Sequence, residues 1–202
     1  MMKETGLSGR IAELRRVLGE RETAVLITNT GAVLSDNGLH LMVWGQPALI
    51  TAPDFVARDA ETGQELDMMT QALLAYTFYT SDGALPAQEW IAFTELPNGR
   101  FYTNAFQGYT GNKLARAFGN DVKGFAETAV SIGGNPVEFA DAAFQFQVLP
   151  KVPVLVAYWM GDEDFPPSYK LLFDANINHH MPTDACAIIG SMLTSKLLKQ
   201  RV

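Results

Sequence analysis

The chain has 202 residues, 48% hydrophobic and 18% charged, which is the composition of a folded domain and long enough to bury roughly 70% of the unfolded surface. A formal net charge of −7 repels phosphate backbones and excludes nucleic acid as a general partner, and the single cysteine, Cys186, excludes an intrachain disulfide, a four-cysteine zinc site and self-contained iron–sulfur ligation. No segment reaches about 18 uninterrupted apolar residues and the N-terminal stretch has no signal-peptide h-region, so neither a membrane span nor secretion is expected and the chain reads as cytoplasmic.

Leu7, Ile11, Leu14 and Leu18 recur at helical spacing, which predicts a helix over about 8–18 with Ser8 as cap and Gly19 beyond its last turn. Thr23–Thr28 is apolar and β-branched and reads as helix or strand, and residues 29–38 carry turn signals. Leu39–Trp44 and Ala48–Ala52 read as a hairpin, with Pro47 in its loop, followed by a third strand at Asp54–Arg58. Leu66, Met69, Leu73 and Phe78 predict a helix over about 65–80.

Glu89–Leu96 alternates, Pro97-Asn98-Gly99 follows, and Arg100–Phe106 continues, so a second hairpin is predicted there. A short helix follows Thr110–Lys113 and ends at Gly119. Asp121 caps another to about Ile132, stopped by Gly133–Pro136, the nearest candidate for an internal boundary in an otherwise single domain. Strands are predicted at 144–148, 154–160 and 168–173, and a last helix from Pro182–Asp184 to about Leu198. Strands arriving as hairpins, with helices not interleaved one per strand, give an α+β class with antiparallel sheet and four to five helices.

The blocks WIAFTELPNGRFYTNAFQGYTG from Trp90 and LPKVPVLVAYWMGDEDFPPSYKLLFDANINHHMPTD from Leu149 resemble the family called domain of unknown function 3786, over most of the chain from about Glu22. The resemblance implies a setting in anaerobic bacteria and archaea, where some relatives carry a separate cysteine-rich iron–sulfur segment. This chain has only Cys186, so that association does not carry over.

Four constellations bear chemistry. His179 and His180 precede a helix start, where a neutral imidazole could ligate a transition metal or a tetrapyrrole centre, or act as a base; the plainer reading is one packed and one solvated ring. Asp174 follows Leu171-Leu172-Phe173 and is either an orienting carboxylate for such a base or an Asx-turn with Asn176. Gly108–Lys113, with Tyr109, Thr110 and Lys113 and with Arg100 and Arg116 nearby, is a candidate anion cradle or simply a capped helix. The aromatics Tyr76, Tyr79, Phe93, Phe101, Tyr102, Phe106 and Tyr109 suit either a planar ligand or a core.

Two further groups read as structural. The acids Asp162, Glu163 and Asp164 lack calcium-loop spacing and read as a solvated turn, and Cys186 sits among apolar neighbours. The expectation is a binding or accessory domain for a planar cofactor (tetrapyrrole, corrinoid or flavin) or a protein partner. The alternatives are a small hydrolase or transferase using His179 or His180 with Asp174 and the Lys113 loop, and a purely structural interaction domain, including a homo-oligomer. Whether the chain is an enzyme, and which cofactor it takes, stay open at this point.

Overall fold

The computed structural model describes residues 4–201. Helix α1 (Glu4–Leu18) begins a turn before the predicted start, so Ser8 lies inside it, and Leu7, Ile11, Leu14 and Leu18 are all buried as their spacing requires. The ambiguous 23–28 segment is helical: α2 (Thr23–Thr30) buries Leu26 and Thr30, one turn apart, and Gly31 closes it in the left-handed conformation with its N–H donating to the Ile27 carbonyl.

Strands β1 (Val33–Ser35), β2 (Gly38–Val43), β3 (Gln46–Thr51) and β4 (Val56–Asp59) form an antiparallel meander in that order. Two expectations change here. The turn-rich segment 29–38 contributes β1, paired with β2 across Asp36-Asn37. Pro47 lies inside β3 opposite Met42 rather than in the loop, which is Trp44-Gly45. Both loop residues have positive φ (53° and 76°), as a two-residue type I′ turn demands, so the turn needs no proline.

Helix α3 (Met68–Thr80) starts later than its apolar spacing suggests because Asp67 caps it, accepting from the Met69 and Thr70 amides, while Glu65 is still bridged to Arg58. Gln71 ties this helix to the first sheet: its amide accepts from Ala57 N–H and donates to Ala57 C=O, and it also accepts from Arg15 of α1.

The predicted hairpin at 89–106 is corrected. Strand β5 (Trp90–Ala92) is short, a 3-10 turn follows at Phe93–Glu95, and Gly99–Tyr109 is a helix, α4. Asn98 has φ 60°, but its left-handed turn leads into a helix, and a Cβ at Gly99 would collide with the Phe93 carbonyl. Phe106 stacks on Phe93 at 4.0 Å, a contact that only the helical course of 99–109 delivers.

Helices α5 (Gly111–Phe118) and α6 (Val122–Ser131) follow, the latter capped by Asp121. Then come β6 (Asn135–Pro136), β7 (Ala142–Leu149), β8 (Val152–Trp159), β9 (Ser168–Asp174) and α7 (Thr183–Gln200). The second sheet has the antiparallel order β5-β9-β8-β7-β6, and the class is α+β. One face of this sheet carries Phe144, Val156, Tyr158, Tyr169 and Phe173 into the main core, which draws residues from both sides of Gly133–Pro136. Trp44 N–H donates to the Val148 carbonyl and fastens the β2–β3 turn to the second sheet.

Candidate functional site

A groove of about 1350 Å³ runs along α7. Its floor is one stripe of that helix, Asp184, Ile188, Met192, Lys196 and Lys199, at the three- and four-residue spacing that puts side chains on one face. From Asp184 to Lys199 the stripe is about 22 Å long at the helical rise. Aromatic walls come from three separate segments: Trp44 at the β2–β3 turn, Phe93 after β5, and Tyr102 and Tyr109 of α4. Met69 and Met181 add adaptable thioether surface.

The two ends of the groove differ in charge. At the N-terminal end of α7, Asp184 accepts a 2.8 Å hydrogen bond from the Tyr76 hydroxyl, and burial together with that carboxylate pushes the phenol up to about 12. At the other end Lys196 lies 5.4 Å over the Trp44 ring, a cation–π arrangement, with Lys199 a turn further on. The Trp44 indole nitrogen is buried and has no acceptor among the described residues.

Of the residues singled out in the sequence, the groove collects Phe93, Tyr102 and Tyr109. Arg100, Thr110 and Lys113 do not line it. The Gly108–Lys113 segment forms no anion cradle: Thr110 is fully buried and its hydroxyl donates back to the Phe106 carbonyl, while Gly111 is pressed against the Tyr169 carbonyl to make the bend between α4 and α5. Sequence reasoning did not single out Trp44, Met69, Met181, Lys196 or Lys199 as site residues. The spacing of Ile188, Met192 and Lys196 was the available signal, and it marks a face without saying that the face is open.

The histidines part company. His180 is buried; its Nδ1 lies 3.1 Å from Ser81 Oγ and its Nε2 has no partner among the described residues. Burial, with the nearby Lys151 charge, lowers its pKa below the ordinary histidine value. His179 is exposed, with Nδ1 2.6 Å from Asp82, and this contact leads the causes that hold the Asp82 carboxyl below its usual range. Neither ring lines the groove or the smaller cavity bounded by Trp90 and Asp174.

Asp174 is 2% exposed and is occupied structurally: Oδ1 accepts from the Ala87 and Asn176 amides and Oδ2 from the Gln88 amide, all at 2.8–2.9 Å. The Asn176 bond is the Asx-turn. Asp174 lines a smaller cavity away from the groove, so the structure does not bring His179 or His180, Asp174 and Lys113 into one pocket.

Other expectations resolve simply. In the acidic turn Asp162 accepts from the Asp164 and Phe165 amides, and the segment is solvent-exposed. Cys186 is fully buried, which pushes its thiol pKa well up. The described residues contain no group of three or more His, Cys, Asp or Glu placed to hold a metal, and no helix among them is long and apolar enough to cross a membrane.

The model of the family described as Domain of unknown function (DUF3786) matches residues 23–196, nearly the whole chain. The chain belongs to that family. No curated protein and no solved structure matches it.

Proposed function

We propose that this member of the family is a binding or accessory domain whose groove over α7 holds a large planar cofactor bearing acidic groups, of the tetrapyrrole, corrinoid or flavin kind. The observation that carries the reading is the convergence of Trp44, Tyr102 and Tyr109 on a groove whose far end presents Lys196 and Lys199. Aromatic faces stack a planar ring, thioethers adapt to its edge, and two ammonium groups meet carboxylate or phosphate. The volume exceeds the roughly 300–1000 Å³ typical of small-ligand pockets, which favours a bulky occupant.

The hydrolase or transferase alternative has less support, because general-base catalysis needs the base within hydrogen-bond reach of substrate and neither imidazole lines the groove or the smaller cavity. Protein partnership is favoured by one observation: Tyr102 is 63% exposed and its neighbour Phe101 82%, apolar surface at the rim that a partner could cover. A cytoplasmic, anaerobic setting belongs to the same proposal and rests on the family resemblance.

The three tryptophans make the test selective, since Trp44 lines the groove while Trp90 and Trp159 lie on the far face of the second sheet. Titration with haem, cobalamin and flavin mononucleotide should quench fluorescence saturably for at least one of them. Trp44→Phe should remove that quench and Trp90→Phe should keep it. Flat titrations with all three, or a quench indifferent to Trp44→Phe, would sink the reading.

A further inference from the structure

The outer face of the second sheet holds another cavity, of about 410 Å³, built on a single row across four strands. Trp90 of β5 stands opposite Asp174 of β9, Gln147 of β7 stands opposite Pro153 of β8, and the Val154–Phe173 pair, one residue along each strand, brings Pro153 and Asp174 into the same row. Residues in one such row share a face, so all four side chains point outward together. Gln145, two residues before Gln147, adds a second amide on the same face, and Gln88 covers the Asp174 end.

Three unmet demands meet in this slot. Asp174 has about four acceptor positions, and three are filled by backbone N–H groups, two on Oδ1 and one on Oδ2, which leaves one on Oδ2. No cation pairs with this carboxylate among the described residues. Gln145 makes no side-chain hydrogen bond among the described residues, whereas Gln147 donates to the Leu149 and Pro150 carbonyls. Trp90 is the third: Trp44 and Trp159 each carry a lysine over the ring at 5.4 Å, and Trp90 carries none.

A planar cation with in-plane N–H donors answers all three. We propose that this slot is a guanidinium-binding site, in which the ligand's planar head stacks on Trp90, donates to Asp174 Oδ2 and donates to the Gln145 carbonyl oxygen. A guanidinium fits better than an ammonium because it is flat enough to stack while its donors lie in its own plane and point away from the stacked face. The cavity has room for a short chain beyond the head group.

The test uses methylguanidinium as probe and methylurea, its neutral near-isostere, as control, read by calorimetry and tryptophan fluorescence at low salt. Saturable binding with Kd near or below about 1 mM is expected for methylguanidinium, with methylurea at least roughly tenfold weaker. Asp174→Asn is the direct variant, but it disturbs three backbone bonds and is prone to misfold. Trp90→Leu and Gln145→Ala carry the decision instead, the first weakening binding about tenfold and the second a few-fold. Nα-acetyl-arginine amide separates the sources: binding tighter than methylguanidinium assigns an arginine side chain of a partner, and weaker binding a free guanidine compound. No saturable methylguanidinium binding, equal binding of methylurea, or an affinity unchanged by Trp90→Leu would overturn the assignment. These outcomes are independent of the α7 groove, which Trp44→Phe reports.

Discussion

The two faces of the five-stranded sheet are made by the same strands and have opposite characters. On the inner face, alternate residues such as Phe144, Tyr158, Tyr169 and Phe173 close against α5, α6 and α7, and Phe125 meets Phe144 and Tyr169 edge-on at 5.3 and 5.2 Å. The outer face has a four-residue buried patch (Ala143, Leu155, Ala157 and Leu172), with Trp90 and Trp159 only half-covered and Gln145, Gln147 and Asp174 between. Strand alternation therefore separates two tasks: one face fixes the fold and the other keeps polar groups available without loosening it.

That contrast can be broken at several points. The largest effect is expected at Phe125→Ala, which opens a cavity among four aromatic partners and should cost about 3–5 kcal/mol in urea unfolding. Cys186 provides a second readout on that side: it is buried, so modification by a thiol reagent should be negligible in the native protein and rise with the unfolded fraction in the variant. Asp174→Ala should come next, at about 2–4 kcal/mol, because three backbone N–H groups lose their acceptor; a loss as small as that of an exposed substitution would mean that this part of the outer face is not structural.

A milder, pH-dependent effect is expected at His180. Its folded pKa lies below the ordinary 6.5, so the unfolded chain takes up the proton first. Its contribution is fully present above 6.5 and is lost as pH falls from 6.5 through the folded value. His180→Gln should flatten the dependence of unfolding free energy on pH in that window, and an unchanged slope would place the acid sensitivity elsewhere. The smallest effect belongs to Gln145→Ala, within about 0.5 kcal/mol of wild type. A cost like that of Phe125→Ala would erase the distinction between the faces.

Local periodicity made much of the fold legible. The leucine spacing of α1, the alternation of Phe144, Phe146 and Val148, and the Asp121 cap all describe the contacts those residues make. Asn98-Gly99 misled because a left-handed residue serves equally in a hairpin turn and before a helix. The decision came from Tyr102, Phe106 and Tyr109, spaced by four and three, and from the Phe93 ring on which Phe106 stacks. The groove was legible only in pieces. Tyr102 and Tyr109 announced themselves as aromatics, whereas Trp44 looked like a strand end and Met69 like core, and nothing local says that both look onto α7. The two histidines were separable only by their surroundings, since adjacent residues in one loop can face Ser81 in the interior or Asp82 in solvent.

The pairing of β5 with β9 has a consequence for synthesis. Trp90–Ala92 find their partners only at Leu172–Asp174, and α7 supplies the groove floor later still. On the ribosome, the first sheet and α3 can assemble while β5 waits with its edge unpaired for some eighty residues, an interval in which exposed strand edges invite wrong association. The smaller cavity needs Asp174 of β9 and the groove needs α7, so neither can engage a ligand before those elements have emerged and docked.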